Sequence, residues 1–418
     1  MHECDVVLDV VLKESFTDYT YKRKDHLTMK NFVFQNTTKI YFGKNQLGHL
    51  GEEIKTYGSR ILLVYGGGSI KRIGLYENTM KELKKNGLAV FELAGVEPNP
   101  RYTTVNKGAA ICKKEKIDVI LAVGGGSTID CSKAIAAARY YDGDCWDLVT
   151  GKAPVTQALP VFTILTIAAT GSEMDCGGVI SNVETNEKLG LVHPLLQPKV
   201  SFLDPTNTFS VSAYQTACGS ADILSHIFDC FYFAEVEGKM DMIDRIMEEI
   251  IKTVVKYAPL AISEPDNYEA RANLMWAASW GLNGFLGTGT VMAPTCHMIE
   301  HEVSAFYDIT HGHGLAIITP RWMEYILDET TAPQFKKFGV NVFDVDASLS
   351  DMAGAKEAIA RFKDFLFNRL GLKSKLFDLG IDDKNFAIMA KKACSNGILA
   401  GYKKLTPSDV EAIFKMCL

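Results

Sequence analysis

Several absences narrow this 418-residue chain before any motif is considered. No stretch approaches the ~20 consecutive apolar residues of a membrane span, since candidates such as Ile117–Val123 are interrupted by charge or bounded by glycine. There is no basic excess. Lys and Arg total 44 against 50 Asp and Glu, and a net charge of −6 offers no field for a phosphate backbone, which excludes nucleic acid as the expected partner. The ten cysteines include no Cys-x-x-Cys pair and read as reduced core thiols. A secretory signal would put positive charge ahead of its apolar run, whereas Val6–Leu12 follows acidic residues. The chain is therefore expected in the cytoplasm, with no membrane partner. Residues 1–28 read as an extension, non-native or started upstream, or as an extra element, with Met29 opening a strand-like Asn31-Phe-Val-Phe.

What is present is the composition of a globular protein, with 47% hydrophobic and 22% charged residues over a length that suits two domains and a cleft between them. From 29 to 207, β-rich runs alternate with helical patterns, as in βαβ units around a largely parallel sheet. Arg60–Tyr65, Asp118–Val123 and Leu159–Leu165 are the clearest strands, apolar enough for burial on both faces. From 208 to 418 the texture is helical, with long stretches at Lys239–Ile262, Asn267–Leu282, Ala355–Leu370 and Thr406–Met416. Ser212-Ala and Ser263-Glu-Pro suit helix starts, and Gly371 or Gly380 helix ends. The expected fold is an α/β dinucleotide-binding domain followed by an all-α domain, hinged near 205–210.

Two glycine turns follow strands. Gly124-Gly125-Gly126-Ser127, with Asp130 beyond, leads into a helical run, and Gly66-Gly67-Gly68-Ser69 repeats the pattern. A glycine turn before a helix lets backbone N–H groups approach a pyrophosphate, and the helix dipole favours its charge. The same residues also suit any tight strand-to-helix turn, and G-x-G-x-x-G is absent from both. No acidic residue lies between Tyr65 and Arg72 to hold a ribose 2′-OH, whereas Ser69 with Lys71 or Arg72 suits a 2′-phosphate and leans toward NADP(H). Thr166 and Thr170-Gly-Ser172-Glu add hydroxyls where a strand ends, or form an ordinary helix cap.

In the helical half, Asp222 and His226 stand at i and i+4, so both project from one helix face. An ion pair is the plain reading of such a pair. However, four of the nine histidines, His297, His301, His311 and His313, fall within residues 297–313. His297 and His301 share a helix face, and His311 follows a helical length plus a turn. One carboxylate with neutral imidazoles suits Fe²⁺ or Zn²⁺ rather than Ca²⁺, and leaves a bound ion with the net positive charge of a Lewis acid.

Together, Gly124–Ser127 with Asp130, Thr170-Gly-Ser-Glu173, Gly-x-x-Asp222-x-x-x-His226 and His297/His311 fourteen apart resemble the iron-containing (group III) alcohol dehydrogenases, within them the butanol dehydrogenase and broad-range aldehyde reductase branch. The likeness runs from about Met29 to the end and implies the dehydroquinate synthase-like architecture. It implies one divalent metal per subunit on Asp222, His226, His297 and His311. It makes His301 a proton relay near the alcohol oxygen, a role its ordinary pKa near 6.5 permits, or a supporting histidine. It also implies Lys188 beside the cofactor, a homodimer, and hydride transfer between NAD(P)(H) and a small primary alcohol or aldehyde such as butanol or butyraldehyde. The Gly66–Ser69 turn is similar to that of the NADP(H)-preferring branch. Asp144–Lys152 also resembles the butanol dehydrogenases, its Trp146 lining the pocket or packing in the core. The alternatives on the same fold are a dehydroquinate synthase-like lyase, a glycerol dehydrogenase-like enzyme or a non-enzymatic metal-dependent binder.

Overall fold

The computed structural model of the chain describes residues 30–234 and 240–418, so the extension at 1–28 lies outside the described residues. Six parallel strands form one sheet: β1 (Lys39–Phe42), β2 (Arg60–Tyr65), β3 (Ala89–Ala94), β4 (Val119–Gly124), β5 (Val161–Leu165) and β8 (Val200–Leu203). Their order is β1-β8-β5-β4-β2-β3. Side-chain alternation explains why β2 and β4 are apolar throughout. Leu62, Val64 and Ile120 enter the core on one face of the sheet, while Ile61, Leu63, Val119 and Leu121 enter the core on the other. The chain leaves β2 toward β3 on one side and reaches β5 from β4 on the other. Between β2 and β4 the strand order reverses, and in an open α/β sheet that reversal is where ligands bind.

Between β5 and β8 the chain inserts an antiparallel hairpin, β6 (Gly177–Asn182) with β7 (Glu187–Val192), which the alternating pattern does not anticipate. A buried polar knot anchors it. Lys133, fully buried in the helix Gly126–Ala138, donates to Asp175 Oδ1 at 2.6 Å, Gly177 O at 2.6 Å and Ser172 Oγ at 3.0 Å. Ser172 Oγ donates in turn to Asp130 Oδ1 at 2.6 Å, and Asp130 Oδ2 accepts the Val179 N–H at 2.9 Å. The helix after the glycine turn, the 171–175 turn and β6 are thereby locked together.

Beyond β8 the described residues are almost wholly helical, around one large apolar core. Ser212 caps the helix Ala213–Ile227, accepting from Gln215 N. Three local expectations need correction. Residues 31–34 form no strand, because Lys30 N–H bonds to Gly289 O and Phe34 packs edge-on against Phe285 rather than joining the sheet. Ser263 ends the helix Asp241–Ser263, and the next is capped by Asn267, whose side-chain amide oxygen accepts from Ala270 N at 3.0 Å. The expected helix 355–370 is Asp351–Asp364 followed by a π-turn, Phe365–Arg369, ending before Gly371 at φ +70°.

Replacing the buried ammonium tests the knot. Lys133→Met should destabilise the protein by about 3–5 kcal/mol, since it leaves Asp175 without its cationic partner. The measurement is the urea midpoint, and an unchanged midpoint would show that the knot does not anchor the hairpin.

Candidate active site

Three turns meet at the carboxyl edge of the sheet. Gly66–Ser69 follows β2, Gly124–Ser127 follows β4, and Thr166–Ser172 follows β5. They press together tightly. A side chain on Gly125 would stand 2.4 Å from Ile167 Cγ2, and one on Gly126 2.5 Å from Thr170 Oγ1, so the close approach requires glycine at both. Thr166 N–H bonds to Gly124 O, and Thr170 Oγ1 accepts the Ser172 N–H. The helix Gly126–Ala138 thus aims its free amides at the reversal point, beside exposed Gly67 and Ser69 of the neighbouring turn. Among the sequence candidates here, Asp130 and Ser172 turn inward to the polar knot. Trp146 packs at the margin of the α/β core beside the Tyr102 ring, the packing alternative of the two raised for it.

The second cluster lies directly behind the β5 turn. Gly219 brings the Ala213–Ile227 helix so close that a side chain there would lie 2.4 Å from Ala168 O. One turn on, buried Asp222 and His226 face the same space as His297, from the helix Thr295–Tyr307, and His311, the first residue of the helix His311–Ile326. Asp222 Oδ1 lies 3.7 Å from His226 Nε2, 3.9 Å from His297 Nε2 and 3.7 Å from His311 Nε2. These separations exceed hydrogen-bond length but suit donors that share one ion, because ligands ~2.1 Å from a tetrahedral metal stand about 3.4 Å apart. Asp222 Oδ1 and His297 Nε2 are buried with no hydrogen-bond partner among the described residues, which is what a cation-binding centre requires of its donors.

Two further carboxylates set the imidazoles. Asp229, in the π-turn Phe228–Tyr232, accepts the His297 backbone N–H at 3.0 Å and lies 3.1 Å from His297 Nδ1. Glu300 contacts His311 Nδ1 and also accepts from Ser304 Oγ. An ionised carboxylate only accepts, so Nδ1 carries the proton and Nε2 keeps its lone pair for a metal. Burial would raise Glu300, but His311 and Lys188 override it and hold the carboxyl far below the usual range. Burial would likewise lower His297, yet the Asp229 charge and hydrogen bond leave it raised. His226, by contrast, is pushed down to about 4 by burial.

Sequence reading missed Asp229 and Glu300. Their signal was present, for Asp229 continues the polar stripe Asp222/His226 along an otherwise apolar Ile-Leu-Ser-His-Ile-Phe-Asp run, and Glu300 is an acid inside a buried helix. His301 sits beside this centre, its ring centroid 5.5 Å from that of His311 and 6.4 Å from that of His297. The ordinary pKa expected for it does not hold. Burial drives it well below 6.5, and nearby Lys188 and His311 push the same way, so the ring is neutral. Lys188, on β7, reaches the metal-side cluster, with Nζ 3.2 Å from His311 Nδ1 and 3.5 Å from Glu300 Oε2.

Comparison with known proteins places the chain in a family. Residues 37–205 match the family model for iron-containing alcohol dehydrogenase, and residues 216–418 match that for the Fe-containing alcohol dehydrogenase family, C-terminal. The chain is 51% identical over 389 residues to NADH-dependent butanol dehydrogenase A of Clostridium acetobutylicum, covering 93% of this chain and 99% of that protein. It is 35% identical over 374 residues to an NADPH-dependent aldehyde reductase of Escherichia coli, covering 88% and 94%. The crystal structure of NADH-dependent butanol dehydrogenase A from Thermotoga maritima superposes with a TM-score of 0.88 at 39% identity, covering 94% of this chain and all of that one. These relatives do not favour the lyase and glycerol dehydrogenase-like alternatives, and they support a metal and a nicotinamide cofactor. No helix among the described residues is long and apolar enough to cross a membrane. The chain belongs to the iron-containing alcohol dehydrogenase family, in its butanol dehydrogenase and aldehyde reductase branch, and is an NAD(P)-dependent alcohol/aldehyde oxidoreductase.

Proposed function

We propose that Asp222, His226, His297 and His311 hold one Fe²⁺ or Zn²⁺ per subunit, and that the enzyme interconverts short primary alcohols and aldehydes of the size of butanol and butyraldehyde. The observation that carries this reading is the convergence of Asp222 Oδ1 with three imidazole Nε2 atoms at 3.7–3.9 Å in a buried site. An ion held there supplies Lewis acidity, polarising a carbonyl or lowering the pKa of an alcohol. His301, neutral and adjacent, takes the alcohol proton in oxidation and returns one in reduction.

The nicotinamide cofactor lies across the three turns. Gly124, Gly125, Gly126 and Ser127 meet the pyrophosphate, while Gly66, Gly67, Gly68 and Ser69 meet the adenosine ribose. Thr166 and Thr170 approach the nicotinamide side, Asp130 and Ser172 brace the turns through the knot, and Lys188 closes the site from the metal side. The 2′-phosphate subsite is Ser69 with Lys71 or Arg72, making NADP(H) the preferred cofactor. The names of the relatives divide on this point, NADH-dependent for the Clostridium acetobutylicum butanol dehydrogenase and NADPH-dependent for the Escherichia coli aldehyde reductase, and the NADP(H) reading rests on the absence of a carboxylate between Tyr65 and Arg72. The division into 29–207 and 208–418, cytoplasmic residence, and a homodimer using the edge position of β1 complete the proposal.

Aldehyde-dependent NADPH oxidation should disappear on chelation and return with Fe²⁺ or Zn²⁺; turnover that survives complete metal removal would refute the centre. His301→Ala should lower kcat by about 10²–10⁴-fold while metal content stays near one per subunit. Loss of the metal in that variant would instead make His301 a ligand. Ser69→Asp should reduce kcat/KM for NADPH at least about tenfold, by setting a carboxylate against the 2′-phosphate, and leave NADH nearly untouched. Equal losses with both cofactors would remove Ser69 from the subsite.

A further inference from the structure

Of the two ligand histidines backed by carboxylates, only His311 has an ammonium against the same ring nitrogen. Its Nδ1 touches Glu300 Oε2, and Lys188 Nζ stands 3.2 Å from that Nδ1 and 3.5 Å from that Oε2. Glu300 is fully buried and Lys188 is 6% exposed, so neither group can turn away into water. A single Nδ1 cannot satisfy both neighbours. Donating to Glu300, it leaves the Nε2 lone pair facing Asp222 Oδ1, as a ligand must. Accepting from Lys188, it forces the proton onto Nε2 and removes His311 from the ligand set. His297 faces no such choice, since among the described residues its Nδ1 pairs with Asp229 alone.

We infer that Glu300 is a positioning residue that selects the metal-ligating tautomer of His311, and that it does so partly by engaging Lys188, the donor that would otherwise select the other tautomer. The inference rests on the proposed metal set. It makes His311 the ligand whose availability is set by a charge pair bridging the β6–β7 hairpin and the helical half. Lys188 therefore couples to the metal centre as well as to the cofactor side. Mere electrostatics would predict something simpler: removing the Lys188 charge would favour a bound cation by a similar factor whatever occupies position 300. Tautomer competition predicts that the benefit of removing Lys188 is large only when Glu300 is gone.

The test is a double-mutant cycle read as Zn²⁺ affinity of the full chain, by competition with a chromophoric chelator, without any activity measurement. Glu300→Gln, which keeps the shape and can still bond Ser304, should weaken Zn²⁺ binding about 10–100-fold. Lys188→Met alone should change it less than about threefold, and adding Lys188→Met to Glu300→Gln should recover at least about tenfold of the loss. Should Glu300→Gln not fold, as judged by circular dichroism, Glu300→Asp takes its place, its retracted carboxylate expected to give the same loss and the same recovery. Asp222→Asn serves as the site control. A wild-type chain that binds no Zn²⁺, or an Asp222→Asn chain that binds it normally, would overturn the metal set and this inference together. Normal binding lost in Asp222→Asn, but with Glu300→Gln unaffected or Lys188→Met giving equal gains in both backgrounds, would overturn this inference alone.

Discussion

The arrangement turns on one uncompensated charge. Asp222 is buried at 3% exposure, and its Oδ1 has no hydrogen-bond partner among the described residues while three imidazole nitrogens face it at distances too long to bond. Burying a carboxylate oxygen without a partner is penalised, and a cation between the groups would remove that penalty. The surroundings follow from that constraint. Asp229 and Glu300 fix two imidazoles from behind, and Ser304 and the His297 amide fix those carboxylates in turn. Side chains held in this way would lower the reorganisation that binding an ion must drive.

The same rigidity joins this centre to the cofactor edge. Gly219 abuts Ala168 O, so the helix bearing Asp222 and the turn after β5 keep a fixed separation. From the other side, the Lys133 knot holds the 171–175 turn and the hairpin carrying Lys188. Hydride transfer requires reacting carbons held at near-contact distance, and such transfer tolerates little play between cofactor and substrate sites. Here both proposed sites are braced on the turn after β5. A sheet edge alone would position the cofactor but not the metal, and the helical bundle alone would do the reverse.

Much of this was legible in residue order because the relevant signals are local. Strand, glycine turn and helix succeed one another within a few residues at 119–138, and the i,i+4 pair Asp222/His226 is readable from helical periodicity alone. The histidine-rich 297–313 segment announced itself by composition. What escaped depends on contacts between distant segments. Asp229 meets His297 across 68 positions, and Lys188 meets His311 across 123, on a hairpin whose opening Gly-Gly conceals its strand character. The low pKa of His301 escaped for the same reason, since desolvation is a property of the packed core. The absent strand at 31–34 shows the converse, a local β pattern overruled because its phenylalanine found an aromatic partner elsewhere.

The three histidines facing Asp222 are not equivalent, and their differences follow from what stands behind each ring. His226 has no carboxylate behind it. Its Nδ1 is buried without a partner among the described residues, its ring stacks on His297 with centroids 4.6 Å apart, and burial holds it neutral near pKa 4. Well above pH 4 it would bind a metal without first losing a proton. His297 is the opposite case, its pKa raised by Asp229 despite full burial, so metal and proton compete for it most strongly. Backing by a carboxylate thus has two consequences that pull apart: it makes Nε2 a stronger donor, and it makes the free ring easier to protonate. Asp229 therefore strengthens the proposed centre above the raised pKa of His297 and weakens it below, while His226 stays unprotonated down to about pH 4. A centre assembled from one unbacked and two backed imidazoles around a single carboxylate would combine a ligand that is ready at any pH well above 4 with two held as stronger donors.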